Sequence, residues 1–77
     1  MDRLTEQDLN RRIYMFCCRE LDGERNKRDI LKLLLDRAKA DDLPDWIVAL
    51  SEHLTLTRKS INRLSAKRSR LQRRLHL

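Results

Sequence analysis

The chain has 77 residues, a formal net charge of +6 and a charged fraction of 39%. Aromatic residues make up only 4% and there is one Gly and one Pro, which argues against an all-β domain, since such a domain needs turn residues every ~8–12 positions. No stretch approaches the ~18 consecutive apolar residues of a membrane span, and the charged N-terminus lacks the apolar core of a secretory signal, so we expect one small, cytoplasmic, helical domain over residues 1–77.

The first predicted helix runs from about Glu6 to Leu21. Thr5 and Asp8 have the spacing of a capping box, in which two side chains satisfy backbone N–H groups at the start of a helix. Gly23 follows at the position where a left-handed cap would end the helix. The apolar residues of this segment recur at helical spacing and predict one buried stripe, made of Leu9, Ile13, Phe16, Cys17 and Leu21.

The second predicted helix begins near Asn26, a favourable N-cap residue, and ends near Ala40. Its apolar face is broad, which predicts the most buried helix of the domain: Ile30, Leu31, Leu33, Leu34, Leu35 and Ala38. This face is wider than one intramolecular neighbour requires. A chain this short buries little surface alone, so we expect a homodimer that covers the remainder.

A third helix is predicted from about Pro44 to His53, with Asp42 as its cap and Pro44 in its first turn. Its inner face consists of Trp46 or Ile47, followed by Leu50 and Leu54. A fourth helix is predicted to begin with Thr57 as N-cap and to continue close to the C-terminus. The expected fold is therefore an all-α, four-helix domain, with an N-terminal helical pair in residues 1–43 and a second half in residues 44–77.

Positive charge is concentrated at the end of the chain. Residues 57–77 contain eight Lys or Arg residues and no Asp or Glu. Four of them recur at spacings of four, three and four, which predicts a basic stripe along one helix face: Arg63, Lys67, Arg70 and Arg74. A basic helix of this kind is typical of proteins that bind nucleic acid.

Residues 50–64 resemble a helix-turn-helix. Ser51 provides a small residue where the two helices of that motif cross, and Thr57 can cap the second helix. Hydrophobic residues bracket the turn and lock the second helix at Leu50, Leu54, Leu56, Ile61 and Leu64. The resemblance implies a small DNA-binding transcriptional regulator whose last helix enters the major groove of DNA.

Carried over by position, the resemblance assigns base-edge contacts to the first turns of the second helix, namely Thr57, Arg58, Lys59, Asn62 and Arg63. Arg and Lys can donate hydrogen bonds to guanine, and Asn can pair with adenine. Lys67, Arg70 and Arg74 would hold phosphates further along the basic stripe.

A continuous helix over residues 44–77 is the alternative to this motif. The turn position that is usually Gly in the family is Thr55, and a β-branched residue is strained at positive φ. No Gly or Pro follows Pro44 to break a helix. In a continuous helix, Ile61, Leu64, Leu71 and Leu75 would form a short dimer seam, with Arg68 as its polar interruption.

Three other functional classes follow from the same residues. A small helical adaptor would bind an acidic protein partner through the basic helix. An RNA-binding protein is less well matched because the helix has no aromatic residues for base stacking, and a membrane-surface helix is disfavoured by its narrow apolar face.

Enzymatic activity is not expected. The sequence has no Gly-rich phosphate loop, no paired carboxylates that suggest a pocket and no recognised cofactor motif. Cys17, Cys18, His53 and His76 do not have the spacing of a metal site. Cys17 is expected to be a small core residue, and His53 to interact with the carbonyl groups at a helix end.

Overall fold

The structure, a computed structural model, describes residues 5–76. It consists of two long helices, α1 (Glu6–Ala40) and α2 (Pro44–Leu75), which form an antiparallel hairpin. Near the open end, the Gln7 side chain donates a hydrogen bond to the carbonyl oxygen of Arg74 at 3.4 Å. The all-α prediction is confirmed for the described residues, but the predicted four helices are wrong, since two helices account for this part of the chain. Residues 1–4, where no secretory signal was expected, and Leu77 lie outside the described residues.

The start of α1 is a capping box, as the sequence predicted. The Thr5 hydroxyl oxygen accepts a hydrogen bond from the backbone N–H of Asp8 at 3.1 Å, and the Asp8 carboxylate accepts one from the backbone N–H of Thr5 at 3.2 Å. The Thr5 hydroxyl also donates to this carboxylate at 2.8 Å. These hydrogen bonds lower the pKa of Asp8 below its usual value because they favour the charged form.

The predicted break at Gly23 is wrong, because α1 passes through it without interruption. Gly23 does not adopt positive φ, and Asn26 is an exposed residue within the helix instead of an N-cap. A Gly inside a helix costs about 1 kcal/mol relative to Ala, which is a small penalty beside the packing of leucines on either side of it. Leu21 and Leu31 are both buried, so tertiary packing overrides the local stop signal.

The chain reverses between Ala40 and Pro44, near the predicted break at Asp42. The backbone N–H of Asp41 donates to the carbonyl oxygen of Arg37 at 3.0 Å, and Asp42 takes a left-handed conformation with φ of 54°. Asp42 is therefore not the cap that the sequence suggested. Leu43 is the N-cap of α2 and makes no side-chain capping hydrogen bond, while Pro44 occupies the first turn as predicted.

Helix α2 is continuous, so the predicted helix start at Thr57 is wrong. The hydroxyl groups of Thr55 and Thr57 donate to carbonyl oxygens one turn earlier, those of Ser51 at 3.0 Å and His53 at 2.9 Å. Such bonds allow threonine to sit inside a helix with its hydroxyl group satisfied. The alternative prediction, a continuous helix after Pro44, is therefore the one observed, over Pro44–Leu75.

The two helices meet along one seam, in which residues recur at alternating spacings of three and four, as in a coiled coil. Its buried members are Cys17, Leu21, Leu31 and Ala38 from α1 and Leu54, Thr57, Ile61 and Leu71 from α2. The seam predicted for Ile61 and Leu71 therefore forms within one chain, against α1, and not between two chains. Arg68 interrupts it as expected, and its buried Nε has no hydrogen-bond partner among the described residues.

Much of the predicted apolar surface of α1 lies outside this seam. Leu9, Ile13 and Phe16 are exposed, so the stripe predicted to contain them together with Cys17 and Leu21 is wrong. The segment predicted to be most buried also exposes Ile30, Leu33 and Leu34. The hairpin measures 59 × 24 × 15 Å with a radius of gyration of 17.4 Å, against about 11–12 Å for a compact domain of this length. Each helix therefore covers only one face of the other.

Candidate nucleic-acid interface

The strongest electrostatic feature of the hairpin is the second half of α2, residues 57–75, which we call the basic segment. It contains eight Lys or Arg residues and no Asp or Glu. The ion pairs within residues 5–76 join Arg28 to Asp29 and Arg37 to Asp41, so none involves the basic segment. Its positive charges are therefore not neutralised by direct contact with carboxylates of the described chain.

The predicted basic stripe is present on one side of the basic segment. All four of its residues are exposed: Arg63, Lys67, Arg70 and Arg74. The first and last are eleven residues apart, which corresponds to about 16 Å along an α-helix. Because α2 is one continuous helix, the distance between these cations along the helix axis is fixed.

Carboxylates of α1 approach both ends of this stripe. A groove of about 380 Å³ between the helices is lined by Glu20, Gly23, Glu24, Ser60, Arg63, Leu64 and Lys67. A second groove of about 410 Å³, nearer the open end, is lined by Asn10, Ile13, Lys67, Arg70, Leu71 and Arg74 and contains no carboxylate in its walls. At the other end, Glu6 lines a groove with Arg74, so the positive potential is expected to be strongest beside Arg70.

The residues predicted to contact bases do not form one surface. Thr57 is only 2% exposed and lies in the seam. Arg58 and Arg63 are five residues apart, about 140° around α2, so they do not share a face. Asn62 lies one turn from Arg58, on the same side of α2 as Arg58. All these residues lie in the middle of a long helix, and the free helix start that a helix-turn-helix inserts into DNA is absent from α2.

Two more exposed cations lie beside the basic stripe: Lys59, which was predicted to contact bases, and Arg73, for which no role was predicted. Both are exposed, and each lies one turn from a stripe residue, Lys59 from Arg63 and Arg73 from Arg70. The helical period extended over the whole of residues 57–75 would have identified this grouping. The prediction missed it because it grouped residues by their distance from the predicted helix start and not by their angle around the helix.

The cysteines offer no alternative site. Cys17 is buried and its thiol donates to the carbonyl oxygen of Leu64 at 3.3 Å, which fits the predicted core role. Cys18 is half-buried, and both thiols are free. Within residues 5–76, no group of three His, Cys, Asp or Glu side chains is placed to hold a metal ion.

Comparisons with protein-family models, curated proteins and solved structures gave no match. Neither helix has a stretch apolar and long enough to cross a membrane in the part of the chain that the structure describes. The function must therefore be inferred from the surface of the hairpin itself.

Proposed function

We propose that this helical hairpin is a non-enzymatic protein that binds the phosphate backbone of double-stranded DNA through the basic segment of α2. The observation that supports this most strongly is the set of eight cations along one helix, none of them in an ion pair with the described residues. From Arg58 to Arg74 these cations extend over about 24 Å. Duplex DNA carries one charge per ~1.7 Å of axis, and cations that neutralise phosphates release its counterions.

Backbone contact is the mode that the arrangement favours. Contacts to phosphates position a protein on DNA but carry no direct sequence information. Arg58 lies about 140° around the helix from Arg63, so it cannot join the basic stripe in one major groove. The basic segment also has no aromatic residue on which unpaired bases could stack, which favours a duplex over a single strand. Any regulatory effect on transcription would then follow from occupancy of DNA by the protein.

The triple variant Lys59→Ala, Arg63→Ala, Arg70→Ala is expected to weaken DNA binding at all sequences. Each phosphate contact contributes about 0.9 to the slope of log affinity against log salt, so losing three contacts should reduce the slope by about 3 units. The three residues are exposed and lie outside the seam, so the hairpin should stay folded. Fluorescence anisotropy with a labelled duplex of random sequence measures the affinity at several salt concentrations.

A matched triple variant separates the site from the effect of net charge. Arg19→Ala, Lys32→Ala, Lys39→Ala removes the same charge from exposed positions of α1. This control should keep most of the salt dependence of the unaltered protein. Equal losses in both triple variants would contradict the assignment to α2. Binding to polyglutamate as tight as binding to duplex, at the same salt, would favour the acidic protein partner instead.

A further inference from the structure

Helix α1 carries a second apolar stripe that α2 does not cover. It repeats at alternating spacings of four and three and lies one residue before each position of the buried seam, which places it about 100° around the helix from α2. Its apolar members are 42–66% exposed: Leu9, Ile13, Phe16, Ile30 and Leu34. Single exposed apolar residues are normal, but a stripe of this length at seam spacing is typical of a helix-packing surface.

The stripe is nearly symmetric about Gly23. Phe16 lies seven residues before Gly23 and Ile30 lies seven after it. Glu20 lies three residues before it and Lys27 four after it, so the two charges flanking the centre have opposite sign. If a second copy of α1 runs antiparallel, Phe16 faces Ile30 of that copy, and Glu20 faces its Lys27. The stripe is therefore complementary to itself, which is the property that a two-fold interface requires.

Nothing in the single hairpin explains why position 23 has a glycine. Its φ is not positive, and a Cβ added there would meet no atom within 4 Å. At the centre of an antiparallel helix pair, however, a Gly allows two backbones to approach closely. Ser60, another small residue, lines the same groove from α2. Both helices thus present a small residue at the same level of the hairpin.

The charges of α2 are compatible with the same two-fold axis. Residues 44–56 contain two carboxylates and no Lys or Arg, whereas residues 57–75 contain eight cations. Because Gly23 and Ser60 share a groove, an axis near both lays the basic segment of one copy over residues 44–56 of the other. Opposite charges approach and the two basic segments lie at opposite ends, so electrostatics favours this antiparallel orientation over a parallel one.

We propose that a second copy of this chain covers the second stripe, and that the two hairpins form an antiparallel homodimer with its two-fold axis at Gly23. The proposal assigns a specific interface to the homodimer that was expected from the sequence. It goes beyond the proposed DNA binding but shares a face with it, because Glu20 and Gly23 line a groove with Arg63 and Lys67. In the dimer, DNA would therefore contact the basic segment mainly through exposed cations outside this groove, such as Lys59 and Arg73. Phe16 and Ile30 provide the apolar contacts, while Glu20 and Lys27 set the orientation.

Gly23→Gln tests the position of the axis. Gln is a better helix former than Gly and has open space in the single hairpin, so the fold should be retained. Its side chain would block the close approach of two copies and should raise the dimer dissociation constant at least about tenfold. Sedimentation equilibrium at tens of micromolar should give twice the chain mass of 9.3 kDa for the unaltered protein. The control Asn26→Gln, one turn away on the outer surface, should keep the dimer.

A charge exchange tests the orientation. Glu20→Lys should weaken the dimer by about tenfold, since it places like charges opposite each other twice. The double variant Glu20→Lys, Lys27→Glu should restore it, because the exchange recreates both pairs in the antiparallel arrangement only. A monomeric unaltered protein, a Gly23→Gln variant that dimerises as well as the Asn26→Gln control, or a double variant that fails to recover would each overturn the proposal.

Discussion

Leu21→Ala is expected to lower the free energy of unfolding by about 2–5 kcal/mol, the range typical of leucine removal from a packed core. Leu21 is 0% exposed and lies near the middle of the only interface between α1 and α2 in the described chain. Removing its side chain eliminates apolar burial and leaves a cavity beside Cys17. Urea denaturation followed by far-UV circular dichroism measures the change, and the midpoint should fall while the slope with denaturant stays nearly constant.

Leu33→Ala provides the matched control for this substitution. Leu33 is also a leucine of α1, but it is 71% exposed and lies outside both the seam and the second stripe. Its truncation should change the free energy of unfolding by no more than about 0.5 kcal/mol. If the two variants lost equal stability, the register of the hairpin would be wrong.

Thr55→Pro is expected to cost about 3 kcal/mol or more, because proline inside a helix removes a backbone hydrogen bond and its ring clashes with the preceding turn. Thr55 is exposed, so the loss cannot come from core packing. Circular dichroism should show reduced helix content, and urea denaturation should show reduced stability.

This substitution distinguishes a continuous α2 from a helix-turn-helix. In the latter, residue 55 lies in a turn, where proline is tolerated far better than inside a helix. Thr55→Ala is the control, since it removes the hydroxyl bond to Ser51 but keeps the backbone N–H and improves helix propensity. A Thr55→Pro variant as stable and as helical as Thr55→Ala would contradict the continuous helix.

Local signals in the sequence identified the ends of the hairpin but not its interior. The Thr5–Asp8 capping box and the position of Pro44 were predictable because each depends on residues a few positions apart. Gly23 and Thr57 gave equally clear local signals, yet both lie inside helices. The spacing of buried residues continues unchanged across each of them. The packing that stabilises each continuous helix consists of contacts with the opposite helix, and rules based on a few neighbouring residues do not include such contacts.

The basic stripe could be predicted from the sequence, whereas a base-contacting surface could not. Spacings of four, three and four place the stripe residues on one face of any helix that contains them all: Arg63, Lys67, Arg70 and Arg74. The base-contacting role predicted for Arg58 and Asn62 depended on a free helix start at Thr57, which α2 does not have. The exposure of Phe16 and Ile30 was also beyond local reasoning, since helical spacing shows which residues share a stripe but not which of two adjacent stripes meets the other helix.

The affinity of the unaltered protein for a duplex of random sequence, measured from about 50 to about 200 mM salt, tests the proposed function most directly. Contacts from at least four of the cations in the basic segment predict a straight line of log affinity against log salt with a slope of about −4 or steeper. Absence of binding at about 50 mM salt, or an affinity that does not change over this range, would contradict the proposal that the basic segment binds DNA.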